Sequence, residues 1–341
     1  MRKLAVVILN WNGINFLKQY IPFIVDYTSL QSDIYVIDNA STDNSVSFLK
    51  EKYPQVHIII NNDNYGFAKG YNEGLKFIEA EYYCLLNSDV EVTPYWDAGI
   101  IEFMDAHNEV AVCQPKLLSY FHKDEFEYAG AAGGFIDKNG YPFCRGRLFT
   151  SMEKDYGQYD NNCELFWATG ACMFVRSKIY NELNGLDDDF FTHMEEIDFC
   201  WRVKNYGYKV MYYSNSVVYH YGGGTLAKGS PKKTYYNFRN NLIMLYKNLP
   251  TNRLIPVFFM RFIFDIIAAI RFLFDSGFQD SIAVVKAHFA FWSNYSNNRK
   301  KRININQKKL TSMIYKKNIV FQYFFLHKTK FTDLNDHDFS I

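Results

Sequence analysis

No two of the six cysteines (Cys84, Cys113, Cys144, Cys163, Cys172 and Cys200) stand in a CxxC pair, and their spacing is irregular. That argues against a zinc site and for reduced, buried thiols in a cytosolic protein. No GxxxxGKS/T triphosphate loop occurs. The net charge is only +1, which argues against general nucleic-acid binding. Acid is missing altogether from Ser281 to Thr332, where eleven Lys and Arg residues stand among many aromatics. A clean membrane-spanning run is missing too. Residues 254–274 read LIPVFFMRFIFDIIAAIRFLF, and Arg261, Asp265 and Arg271 interrupt them. Each such charge costs about 3 kcal/mol at mid-membrane. Three arrangements remain open for this segment: lying on a membrane, packing on the rest of the chain, or spanning; the first is expected. Met1-Arg2-Lys3 precedes a short apolar run that ends in Asn10-Trp11-Asn12-Gly13. No small-residue cleavage site follows, so the run reads as a first strand rather than a signal peptide.

The first four apolar runs, LAVVIL, IYVI, VHIII and YYCLL, each end in asparagine or aspartate: Asn10-Trp11-Asn12, Asp38-Asn39, Asn61-Asn62 and Asn87-Ser88-Asp89. Helical spacing fills the gaps, at Ile14, Leu17, Ile21, Ile24 and Val25, and again over 43–52 and 65–80. A βαβαβαβ order predicts an α/β fold with a mostly parallel sheet. Ligands in such sheets bind outside the carboxyl ends of the strands, so the polar residues there predict a nucleotide crevice. Gly66, Gly70 and Gly74 recur every four residues, which brings them near one helix face and permits close backbone approach; they are not a GxGxxG fingerprint.

Further helices are expected at 94–108, 176–184 and 193–206, and strands at 208–213 and 216–221. Residues 119–165 read as irregular strands and loops over an acceptor cleft. Gly222-Gly223-Gly224 opens a loop where backbone can approach an anionic ligand. After about residue 247 the character changes, which divides the chain into a catalytic domain, 1–247, and a helical, basic tail, 248–341.

Thr192 followed by Glu195 has the form of a capping box at the start of a helix, which gives Glu195 a structural role; Gly207 is placed to end that helix. Glu196 faces elsewhere in the first turn, where the helix N-terminus favours its ionised form, as a general base requires. Asp89 at a strand end can hold Mg2+ or Mn2+ on a diphosphate or merely cap a turn. His220 is structural or, as an imidazole, a ligand that suits Mn2+ better. Asp38 can accept from a nucleobase or a ribose hydroxyl or close an Asx turn.

VVILNWNG, VIDNASTD, NNDNYGFAKGYNEGL, LLNSDV, WATGACMFVRSKIYNELNGLDDDFFTHMEEIDFCWRVKNYGYKV and VVYHYGGGTL, in this order, resemble family 2 of the glycosyltransferases over residues 3–247, and within it the rhamnosyltransferase-like bacterial enzymes. The resemblance implies a GT-A fold, a nucleoside-diphosphate-sugar donor of the UDP or dTDP type, and inversion. It implies Asp38 on the nucleobase and Asn87-Ser88-Asp89 at the family's DxD motif, where only Asp89 offers a carboxylate. It implies the base at Glu196 and His220 as a second ligand to Mn2+ or Mg2+. Asn10, Asn12, Asn64, Gly66, Lys69 and Asn72, with Asn87, are expected along the nucleotide side, and Trp167, Gly170 and Ala171 beside the sugar. The expected acceptor is a glycan or lipid-linked glycan in bacterial surface polysaccharide synthesis. The expected location is the cytoplasm, peripheral to the inner face of an anionic membrane. A sugar nucleotidyltransferase and a nucleotide-sugar-binding protein without turnover are the alternatives.

Overall fold

In the computed structural model, residues 2–222, 230–303 and 311–341 are described; Gly223 and Gly224 lie outside them. The first half runs β1 (Arg2–Asn10), α1 (Ile14–Tyr27), β2 (Ser32–Asp38), α2 (Ser45–Lys52), β3 (His57–Ile60) and α3 (Gly66–Leu75). It continues with β4 (Ala80–Asn87), β5 (Val90–Val92), α4 (Ala98–Ala106) and β6 (Val110–Ser119). Short strands follow: β7 (Gly134–Asp137), β8 (Pro142–Cys144), β9 (Arg147–Leu148) and β10 (Ser151–Met152). Next come β11 (Cys163–Leu165), β12 (Cys172–Arg176), α5 (Ser177–Glu182), α6 (Glu195–Asn205) and β13 (Lys209–His220). The chain ends with α7 (Pro231–Asn248), α8 (Thr251–Asp275), α9 (Phe278–Ser293), α10 (Tyr295–Ile303), β14 (Ile314–Tyr315) and α11 (Ile319–Phe324).

The main sheet has nine strands in the order β11-β13-β6-β12-β4-β1-β2-β3, with β5 on β13. The expected parallel core is present: β1 pairs in parallel with β2 and β4, β2 with β3, and β13 with β6. β12 runs antiparallel between β4 and β6. Alternation on β1 sends Leu4, Val6 and Ile8 into one core with α1, α2 and α4, and Ala5 and Val7 into the other with α3 and α6. Apolar side chains on both faces explain why these strands read as unbroken apolar runs.

The two strands expected at 208–213 and 216–221 are one, β13, whose register on β6 shifts between Tyr213 and Val217; Ser214-Asn215-Ser216 reads as a break but is an irregularity within one strand. Residues 119–165 contribute a second sheet, β10-β9-β8-β7-β14. Its last strand comes from the C-terminal segment, where the buried Asp137 carboxylate accepts from the backbone N–H of Ile319 at 2.9 Å. The glycines of α3 behave as their spacing implies: a Cβ at Gly74 would stand 2.3 Å from Ile37, and one at Gly66 2.5 Å from the Phe191 ring. All six cysteines are free.

Candidate active site

The parallel strands bring Asn10, Asp38, Asn87 and His220 to one edge of the sheet, because each is the last residue of its strand. Asn10 Nδ2 donates to Asp38 at 2.9 Å, and the other Asp38 oxygen accepts from the Ser41 N–H at 2.8 Å. Asn12 Oδ1 accepts from the Thr42 N–H at 2.7 Å. These bonds are the Asx-type closure weighed against a nucleobase role for Asp38; they also hold the 38–43 loop over the end of β1. Asn64 accepts from the N–H of Gly66 at 3.0 Å, and Lys69 stands over the Tyr65 ring at 4.4 Å. Asn72 departs from its expected place. Its amide donates to Leu186 O and Asp188 and accepts from Tyr180 Oη and the Leu186 N–H. Its hydrogen-bonding capacity is taken up by α5 and the loop before α6, so its side chain acts as a clamp between them.

β5 pairs antiparallel with β13 and sets Val90 opposite His220. The residue before Val90, Asp89, is thereby brought to the imidazole: Asp89 Oδ1 is 3.1 Å from His220 Nε2. Glu127 Oε1 lies 3.2 Å from His220 Nδ1. Glu127 was not foreseen; it sits in a Gly- and Ala-rich stretch with no motif. All three side chains are at most 9% exposed. Burial alone disfavours the charged imidazole, but the carboxylates of Asp89 and Glu127 outweigh it and hold the His220 pKa well above its usual value. Burial likewise opposes the Asp89 carboxylate, and His220 holds its pKa below the usual value.

Among the described residues no group of three or more His, Cys, Asp and Glu side chains is arranged to hold a metal ion. Asp89 and His220 fit a divalent cation as a two-ligand site once the ion displaces the proton that His220 Nε2 shares with Asp89. Their donor atoms adjoin, Glu127 occupies the second-shell place that orients a metal-binding histidine, and diphosphate oxygens commonly complete such a site.

Glu196 is the second residue of α6, which follows a tight loop. Phe191, His193 and Met194 all have positive φ, at 59°, 70° and 71°, an uncommon run for residues with a Cβ. The expected capping box is absent: the N-cap is Met194 in the left-handed region, with no side-chain cap bond. Thr192 is displaced from the cap because the chain turns at 193–194. Gly207 does end the helix, at φ 100°, with its N–H on Lys204 O and that of Tyr208 on Val203 O. Asn240 of α7 fixes the loop by donating to the carbonyls of Phe190, Thr192 and His193 at 2.8–2.9 Å.

Both glutamates therefore enter low-dielectric surroundings. Burial, then the neighbouring Glu196 charge, pushes the Glu195 carboxyl well above its usual pKa. Burial pushes Glu196 up to about 7, against the pull of the Glu196 and Ile197 N–H groups. Two adjacent carboxyls thus separate into one held neutral and one that titrates near neutrality.

Short contacts join the two halves of the site. A Cβ at Gly13 would meet Asn10 Oδ1 at 2.4 Å and Ser88 Oγ at 3.8 Å; one at Gly130 would meet Thr169 at 2.6 Å; one at Gly170 would meet Glu196 Cβ at 3.8 Å. The Asn87 N–H donates to Ala171 O at 2.9 Å. Gly170 thus lies near Glu196, and Ala171 is tied to the end of β4. Trp167 is 3% exposed, donates to Phe135 O and packs in the core.

The glycosyl transferase family 2 model matches residues 5–183. The chain is 24% identical to the low-salt glycan biosynthesis hexosyltransferase Agl10 of Haloferax volcanii over 212 residues, 59% of this chain and 61% of that protein. It is 21% identical to an N-acetylglucosaminyl-diphospho-decaprenol L-rhamnosyltransferase of Mycobacterium tuberculosis over 252 residues, 64% of this chain and 76% of that protein. In fold it is similar to GalNAc-T7, solved with UDP, GalNAc and Mn2+, with a TM-score of 0.58 and 14% identity over 74% of this chain and 49% of that one. The match to the haloarchaeal protein thus spans about three fifths of that protein's length. With a GT-A-like sheet and a family model that covers more than half of its residues, the chain belongs to family 2 of the glycosyl transferases.

Proposed function

We propose that this protein transfers a sugar from a nucleoside diphosphate, of the UDP or dTDP type, to a hydroxyl of a glycan or lipid-linked glycan, with inversion, in surface polysaccharide synthesis. The observation that carries the reading is Glu196, a carboxyl raised to about 7 beside Gly170 on the ligand edge of the sheet. Glu196 takes the proton of the acceptor hydroxyl. The acceptor oxygen forms a bond to the anomeric carbon as the bond from that carbon to the diphosphate oxygen breaks, and the electron pair leaves with the nucleoside diphosphate. One in-line displacement needs no protein nucleophile and inverts the centre. Asp38 and the 38–43 loop border the base and ribose. Asp89 and His220 would hold a divalent cation, which when bound offsets charge on the leaving diphosphate. The M. tuberculosis relative, whose name specifies a diphospho-decaprenol-linked acceptor, supports a lipid-linked acceptor here.

Transfer measured with UDP-, dTDP- and GDP-sugars, with and without Mn2+, tests the reading; no turnover with any donor, despite binding, would leave a nucleotide-sugar-binding protein. EDTA is expected to abolish transfer and Mn2+ or Mg2+ to restore it. Asp89→Ala is expected to weaken nucleoside-diphosphate binding by about 10–100-fold, while nucleoside binding changes little. Unchanged diphosphate affinity in Asp89→Ala by calorimetry removes the metal role from this residue.

Asn240→Leu is expected to lower kcat by about 100-fold while donor affinity stays within a few-fold, because it frees the loop that aims Glu196. A donor-affinity loss as large as the kcat loss would show a general defect instead.

A further inference from the structure

α8 is built the wrong way round for a helix in water. Between Ile255 and Ile270 its two charged side chains, Arg261 and Asp265, are 2% and 1% exposed. On the opposite face Phe259, Phe262, Ile263, Ile266, Ile267 and Ile270 are 37–64% exposed. The inward charges are matched from distant segments. Arg261 reaches Asp265 at 3.1 Å and lies over the Tyr141 ring at 3.9 Å; His288 Nε2 and Tyr141 Oη approach Asp265 at 2.9 and 3.3 Å. A surface helix normally buries its apolar stripe and wets its charges. Here the polar seam faces the protein, and a continuous apolar face is left outside.

That face does not stop at α8. Phe262 meets the His288 ring of α9 at 6.1 Å, and beyond it Phe289 and Trp292 are 75% and 58% exposed. At the other end the Arg271 guanidinium lies over Phe324 of α11 at 4.5 Å. Monomers rarely leave contiguous apolar patches above a few hundred Å² uncovered, and such faces mark interaction sites. Among the described residues no helix is long and apolar enough to cross a membrane.

We infer that the outer faces of α8 and α9 lie in the headgroup and acyl boundary of an anionic bilayer. The charge at the rim selects this occupant over a second copy of the chain. Exposed Lys286 lies on α9 itself and exposed Arg299 and Lys300 on α10, which follows it directly, inside the stretch from Ser281 to Thr332 that holds no acidic residue. An isologous dimer would set this basic stretch against itself, whereas lipid phosphates complement it. Trp292 and Tyr295, stacked at 6.1 Å, stand where a lipid-bound helix places amphipathic rings. The inference does not depend on the donor chemistry.

Flotation of the full chain with vesicles of phosphatidylcholine alone, or of phosphatidylcholine with phosphatidylglycerol, tests it without any donor. The chain is expected to float with the anionic vesicles and to be released by salt. A triple variant, Phe262→Ser, Ile266→Ser and Ile270→Ser, is expected to lower partitioning by about tenfold or more with Tm unchanged, since all three side chains already face out. Arg299→Gln with Lys300→Gln is expected to lower it by several-fold and to flatten the salt dependence. If the chain stays unbound with both vesicle types, the inference is overturned. It is equally overturned if sedimentation shows a stable dimer that the triple serine variant splits, because a second copy then covers the face.

Discussion

Replacing Glu196 by glutamine is expected to lower transfer by a factor on the order of 10²–10⁴ while donor affinity stays near that of the unaltered protein. The amide keeps the size of the side chain and cannot accept the acceptor's proton. The pH dependence adds an independent check. Because the Glu196 carboxyl titrates near 7, transfer is expected to rise with pH through that region, and the rise should vanish from the residual rate of Glu196→Gln. Stability runs the other way. A carboxyl whose pKa is raised on folding favours the folded state fully below the unfolded glutamate value of about 4.3. That contribution is lost as pH rises through about 7. Above neutral pH, Glu196→Gln should therefore melt later than the unaltered protein while being nearly inactive. Glu195→Gln should retain more transfer, because Glu195 is held neutral and glutamine mimics that state. An inactive, stable Glu195→Gln beside an active Glu196→Gln would reverse the assignment of the base.

The parts of the fold that could be read in advance are those in which one local pattern decides the outcome. β1 to β4 were legible because each is an apolar run closed by a polar residue, and the parallel pairing then carries Asn10, Asp38 and Asn87 to one edge. The proximity of Asp89 and His220 follows from a pairing across 131 positions. The sequence suggested both residues separately but contained nothing that brought Glu127, from the 119–165 segment, to the other imidazole nitrogen. The start of α6 misled for a different reason. Thr192 and Glu195 have capping-box spacing, but a tertiary constraint overrides it: Asn240 and the close approach of Gly66 to Phe191 bend the chain into positive φ at 193 and 194. The charges of 254–274 argued against a membrane span, and none of the described helices is one, but the direction in which those charges point was not legible. Hydropathy treats Arg261 and Asp265 as polar interruptions, and only the packing of Tyr141 and His288 shows that they face inward.

Asp198→Ala is expected to destabilise the protein by about 3 kcal/mol, with a drop in Tm of about 5–10 °C. Asp198 is fully buried. Its carboxylate accepts from Arg202 Nε at 2.9 Å, Lys247 Nζ at 2.9 Å and Asn248 Nδ2 at 2.8 Å. Two of these donors come from α7, so one carboxylate joins α6 to the helix that also carries Asn240. Removing it takes the carboxylate partner from the buried Arg202 guanidinium and one of two from Lys247, and that cost exceeds the loss of packing alone. The cost has an upper bound, because each donor keeps another acceptor: Arg202 reaches Leu183 O and Gly185 O, Lys247 reaches Asp187, and Asn248 reaches Met244 O. Asp198→Asn should fall between Ala and the unaltered protein, since it keeps an acceptor but turns an N–H toward a donor. Urea unfolding separates these outcomes from a catalytic effect: Asp198→Ala should shift the midpoint strongly, whereas Glu196→Gln should leave it unchanged or raise it at alkaline pH. A shift in Tm of less than about 2 °C in Asp198→Ala would mean that the α6–α7 junction is held by apolar contacts, and that the buried carboxylate serves orientation rather than stability.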